Sequence, residues 1–200
     1  QVPTAMILAQ IESVVSEIGV DAVKIGMIGS AEAARAVAQY LDKLSIAVVF
    51  DPVMVATSGS TLADADTIAA FGELMDIASG VTPNLPELAA LGGKDEVLGH
   101  GCHLVVKGGH GEGDVVVDEL YAPGGLIRRI EGKRLDTSET HGTGCTFASA
   151  LACGLGSGMA RYLSRGSRYW KHRGLAKAAV RSAINLLPTF RTMIDDRRCG

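Results

Sequence analysis

Aromatic side chains are scarce in this 200-residue chain, at 4%. Its core must be assembled from aliphatic residues, and apolar residues of all kinds make up 47%. That composition, with 25 glycines, suits an Ala/Val/Gly-rich α/β domain and not a disordered chain. A dominant charge is also missing. The net charge is −3, which offers no basic surface for nucleic acid or an anionic membrane. There is no apolar run of membrane-spanning length and no basic-then-apolar signal segment at the start. Cys102, Cys145, Cys153 and Cys199 lack the spacing of a metal site or a disulfide framework. They read as reduced thiols, which predicts a cytoplasmic protein. Neither the Gly-x4-Gly-Lys-Ser/Thr loop nor the protein-kinase signature is present. An initiator methionine is absent at Gln1, so a fragment or processed chain is expected.

What is present alternates between helix and strand. Ile7, Ile11, Val14, Val15 and Ile18 fall at helical spacing over Thr4–Glu17. A short strand over 22–26 and a helix from Ser30 to about Lys43 follow. Residues 46–50 are continuously apolar, the mark of a strand buried on both faces, and Asp51-Pro52 stops it. A loop spans 52–62. A helix is predicted over 63–75, a strand over 78–81, and a helix over 85–91 with Pro86 in its first turn. Residues 94–101 form a thin, polar connection to a strand over 103–107. Residues 115–121 and 126–130 flank Pro123-Gly124-Gly125 as an antiparallel hairpin. A helix follows Cys145 to about Leu155, and a last amphipathic helix covers 175–187. This order predicts a single domain over 1–200: a three-layer α/β/α sandwich with a mostly parallel sheet.

The stretch His141-Gly142-Thr143-Gly144-Cys145-Thr146 organises the rest. Two glycines permit unusual backbone angles and the close approach of a ligand. The N–H groups that open the following helix form an anion site, and a thiol there has its thiolate favoured. Read alone, it is equally a helix cap beside a buried cysteine.

In an open parallel sheet, ligands bind beyond the carboxyl ends of the strands. Gly26-Met27, Asp51-Pro52-Val53-Met54, Asn84-Leu85-Pro86-Glu87 and Lys107-Gly108-Gly109-His110 all stand there. Separately each is weak: Asp51 can simply cap a turn, and Lys107 can be a solvated strand end. Together they supply what phosphoryl transfer needs. Carboxylates can hold Mg²⁺ through water, and N–H groups can receive the developing phosphate charge.

Lys24-Ile25-Gly26-Met27, Asp51-Pro52-Val53-Met54 with Ser58-Gly59, Thr82-Pro83-Asn84-x-x-Glu87, Val106-Lys107-Gly108-Gly109-His110 and the His141–Thr146 loop occur in one order. In these five motifs, over about residues 21–155, the chain resembles the hydroxymethylpyrimidine/phosphomethylpyrimidine kinases of the ribokinase-like superfamily. The resemblance implies ATP- and Mg²⁺-dependent phosphorylation of a hydroxymethylpyrimidine alcohol and then of its monophosphate, in thiamine biosynthesis. It implies that Met27, Val53 and Gly26 line the pyrimidine pocket. Asn84, Lys107, Gly108 and Thr143 would meet the nucleotide, and Asp51 and Glu87 the Mg²⁺. Gly142, Thr143 and Gly144 would form the anion hole. Cys145 stands where most sugar kinases of the superfamily carry an aspartate base. A homodimer is implied as well. The alternatives are a pyridoxal or pyridoxine kinase of the same superfamily, and a non-catalytic pyrimidine- or nucleotide-binding homologue. Three features depart from the resemblance. The family's opening βα segment is missing, the connection over 94–101 is short, and the tail from Met159 diverges, with a basic run over 161–173.

Overall fold

The computed structural model describes residues 2–55, 59–110, 113–134 and 142–157. Its elements are α1 (Thr4–Glu17), β1 (Ala22–Ile25), α2 (Ala31–Leu41), β2 (Ala47–Phe50), α3 (Ala65–Ile77) and β3 (Gly80–Val81). Then come α4 (Leu85–Ala90), α5 (Lys94–Gly99), β4 (His103–Val106), β5 (Val115–Ala122), β6 (Gly125–Lys133) and α6 (Thr143–Gly156). The tail's basic run and the helix expected over 175–187 lie outside the described residues.

Local chemistry sets the helix starts. Ser30 Oγ accepts from the Ala33 N–H at 3.2 Å, and Asp64 Oδ1 accepts from the Thr67 N–H at 2.8 Å. Each side chain satisfies a donor that has no partner inside its helix. The third helix therefore begins at Ala65, two residues later than its apolar pattern suggests. The connection over 94–101 is not bare loop: Lys94–Gly99 folds as a helical turn and a half, with Val97 fully buried. Its polarity hid it, because a single apolar anchor carries no period.

The six strands form one sheet in sequence order. β1 to β4 are parallel; β5 and β6 run as the expected antiparallel hairpin. Ala22 faces Ala47 and Ile25 faces Phe50 in the β1–β2 register. Strand alternation divides the core. Ile25, Val48, Phe50, Val81, Leu104 and Val106 pack on one face with α2 and α3 residues, including Phe71 and Leu74. The Phe50 and Phe71 rings meet edge to face, 5.1 Å apart. Val49, Val105 and Leu120 face the other way, against Phe147, Ala148 and Leu151 of α6. This is the three-layer α/β/α arrangement, with α6 lying across β1 and β2.

Candidate active site

The backbone pairing continues one step past the parallel strands. The Asp51 N–H donates to the Ile25 carbonyl at 2.8 Å, the Thr82 N–H to Phe50 at 2.9 Å, and the Lys107 N–H to Pro83 at 2.9 Å. Asn84 and Lys107 form a parallel bridge of their own. The register thus lines up Asp51, Thr82, Asn84 and Lys107 along the carboxyl edge. Lys24, Asp51 and Lys107 each follow or precede residues of the α2/α3 face, so alternation sends all three side chains toward the α6 face.

Asp51 is 0% exposed. Its Oδ1 accepts from the Lys107 ammonium at 2.7 Å and from the Thr82 hydroxyl at 3.1 Å. Lys24 Nζ stands 3.7 Å from Oδ2, and among the described residues that oxygen has no hydrogen-bond partner. A buried carboxylate is tolerated only when paired, and here two ammonium groups share one. Lys107 also reaches the opening of α6: a Cβ added at Gly144 would lie 3.1 Å from its Nζ. Gly142 caps that helix in the left-handed region, φ 76°, with no side-chain cap bond. The Thr146 N–H and hydroxyl both donate to the Gly142 carbonyl, at 2.9 and 2.8 Å. A cation and a helix N-terminus therefore face the same point, and both attract an anion.

Asn84 and Glu87 make a reciprocal capping box at α4. Asn84 Oδ1 accepts from the Glu87 N–H, and Glu87 Oε2 accepts from the Asn84 N–H, each at 2.8 Å. Burial pushes the Glu87 carboxyl above its ordinary range, while nearby Lys107 pulls it down. Asp51 and Glu87 offer only hard oxygen ligands, which suits Mg²⁺ with several retained waters. Both Asp51 oxygens lie under lysine ammoniums, so Glu87 is the more reachable of the two. Among the described residues no group of three His, Cys, Asp or Glu side chains gathers around a common point.

Of the remaining sequence candidates, Gly26 and Gly108 adjoin Lys24 and Lys107. Gly26 lies directly against the Lys24 ammonium, which folds back over it. Met27 is 59% exposed, and Val53 is half-buried. A Cβ on Gly108 would run into the Val117 carbonyl, and its N–H donates to Asp118 Oδ1 at 3.0 Å. Cys145 sits exposed in the first turn of α6. Cys102 is buried and donates to the Val97 carbonyl; Cys153 is exposed. His141 and Cys199 lie outside the described residues. Lys24 and Thr82 were not singled out by their chemistry. The one signal for Lys24 is its place in the Lys24-Ile25-Gly26-Met27 motif.

The mostly parallel sheet with its antiparallel hairpin is the ribokinase-like fold, and solved kinases share that fold. Pyridoxal kinase from Staphylococcus aureus, in complex with ADP, superposes with a TM-score of 0.70 at 26% identity, over 94% of this chain and 68% of that one. Phosphomethylpyrimidine kinase from Clostridium difficile 630 gives 0.66 at 27%, over 97% and 77%. The family model described as phosphomethylpyrimidine kinase matches residues 1–164, and the chain belongs to that family. The hydroxymethylpyrimidine/phosphomethylpyrimidine kinases of Streptomyces coelicolor and Rhizobium meliloti are 40% and 39% identical over 79% of this chain. The thiamine biosynthesis multifunctional protein ThiED of Corynebacterium efficiens is 38% identical over 78% of it. The chain spans 63%, 65% and 23% of those three proteins, respectively.

Proposed function

We propose that the chain is a phosphotransferase that uses ATP and Mg²⁺ to phosphorylate 4-amino-5-hydroxymethyl-2-methylpyrimidine, and then its monophosphate, in thiamine biosynthesis. The observation that carries the reading is Lys107, which bridges the buried Asp51 and the opening of α6. Phosphoryl transfer has a loose transition state, so positioning and charge stabilisation do most of the catalysis. Lys107 and the N–H groups over 142–145 are placed to hold the transferring phosphoryl group. Asn84, Gly108 and Thr143 border the nucleotide. Met27, Val53 and Gly26 border the pyrimidine. Glu87, within the field of Asp51, would hold Mg²⁺, which would supply charge neutralisation for the phosphates. Cys145, exposed at the same helix start, takes the alcohol's proton as general base.

The identity with named pyrimidine kinases favours the pyrimidine acceptor. The TM-score of 0.70 with a pyridoxal kinase favours pyridoxal as the second reading. Release of ADP from MgATP with each alcohol in turn separates them. A kcat/KM for the pyrimidine at least tenfold above that for pyridoxal is expected, and the reverse order transfers the assignment. The chain is further proposed to act as a cytoplasmic homodimer. Light scattering that returned a monomer at micromolar concentration would contradict the dimer.

A further inference from the structure

The two acceptors of the proposed reaction differ in charge, and the site holds one ammonium more than Asp51 needs. We propose that Lys24 binds the acceptor's own phosphate and so admits the monophosphate as a second substrate; this rests on the kinase reading above. In the first reaction the acceptor is a neutral hydroxyl. In the second, a non-bridging oxygen of the acceptor phosphate attacks the γ-phosphorus of ATP. A new P–O–P bond forms as the bond to the β–γ bridging oxygen breaks, and ADP leaves with that electron pair. A dianionic acceptor loses no proton. Two phosphates, each carrying about −1.5 to −2 charge, must then approach to bonding distance. The second step therefore needs a cation on the acceptor side that the first does not.

Lys107 is committed to the donor side. It is hydrogen-bonded to Asp51 at 2.7 Å and stands against Gly144, next to Gly108 and the bridge to Asn84. Lys24 comes from β1, on the opposite side of Asp51, next to Gly26 and Met27. Its ammonium attends the other carboxylate oxygen at 3.7 Å, too far for a hydrogen bond. Its side chain is 20% exposed, so it is not sealed inside the core. Gly26 makes this possible, since any Cβ there would take the space of the Lys24 ammonium. β1 lies under α6, so Lys24 is on the same face as the anion-binding helix start.

The test compares the alcohol and its monophosphate as acceptors, with saturating MgATP and the full chain, in wild type, Lys24→Met, Lys24→Gln and Lys24→Arg. Loss of one charged hydrogen bond predicts that Lys24→Met lowers kcat/KM for the monophosphate by roughly tenfold to a hundredfold more than for the alcohol. Arg should restore most of it. The ratio between acceptors is independent of the folded fraction, and Lys24→Gln repeats the comparison if the Met variant is not recovered. Equal losses on both acceptors, or none, overturn the proposal. Wild type that phosphorylates the alcohol but not the monophosphate overturns it, together with the second transfer, and leaves the alcohol kinase standing. Turnover of neither acceptor overturns both.

Discussion

Replacing Asp51 by Asn removes the charge at the centre of the site while keeping the side chain's shape. The Thr82 hydroxyl can still donate to the remaining carbonyl oxygen, but the Lys107 hydrogen bond at 2.7 Å loses its charge and Lys24 loses its counter-ion. Breaking a fully buried pair costs about 3–5 kcal/mol, and a hydrogen bond to a charged group contributes about 1.5–3 kcal/mol. Both lysines keep contact with solvent, at 20% and 14% exposure, and can swing their ammoniums outward on their long stems. The lower part of the range therefore applies, about 2–3 kcal/mol. For a chain of this size that lowers Tm by roughly 4–12 °C. The assay is urea and thermal unfolding of the ligand-free full chain followed by circular dichroism. Asp51→Asn combined with Lys24→Met should be less damaged than the sum of the two, because the orphaned ammonium is gone. A shift below about 0.5 kcal/mol for Asp51→Asn, or strict additivity in the double variant, would refute the account of one carboxylate holding two cations.

Cys145→Ser should slow phosphorylation of the alcohol by about 10²–10⁴-fold, the range of general-base help, and leave transfer to the monophosphate dianion nearly unchanged; a loss under about tenfold on the alcohol would leave the helix start as an anion hole and remove the base. Gly108→Ala should destabilise the fold and abolish turnover together, because the new methyl meets the backbone of β5, not a movable side chain; unchanged melting would show that the β4–β5 junction gives way. Glu87 has its carboxyl raised chiefly by burial, so it favours the fold most below its ordinary range, and that contribution is lost as pH climbs through the raised value. Ligand-free Glu87→Gln, which keeps the capping box, should therefore melt no lower than wild type at neutral pH. Its MgATP affinity should be weaker there, and should lack the wild-type decline on acidification above the usual glutamate range. A matching decline in both proteins would assign the titration to another group.

Much of this was legible in the sequence because it depends on local chemistry. The apolar run before Asp51-Pro52, the Ser30 cap and the turn at Pro123-Gly124-Gly125 each announce an element without reference to the rest of the chain. The hairpin is longer than its apolar stretches, since β6 runs on through Glu131, Gly132 and Lys133 on an edge that needs no apolar face. Lys24 could not be read as a site residue. In the sequence it is a polar position in a short strand, and its meaning depends on the β1–β2 register that sets it beside Asp51. Asn84 and Glu87 were legible as a motif but not in their second role: the hydrogen bonds that start α4 also fix where the Glu87 carboxylate points.

The central claim is that the carboxyl edge of this sheet transfers phosphoryl groups to a pyrimidine twice. Incubating the full chain with MgATP and the hydroxymethylpyrimidine alcohol, and following the products by mass spectrometry, tests it directly. The account predicts the monophosphate first and the pyrophosphate later, with two ADP released for each alcohol consumed. ADP release without any phosphorylated pyrimidine, or no reaction at all, would contradict it.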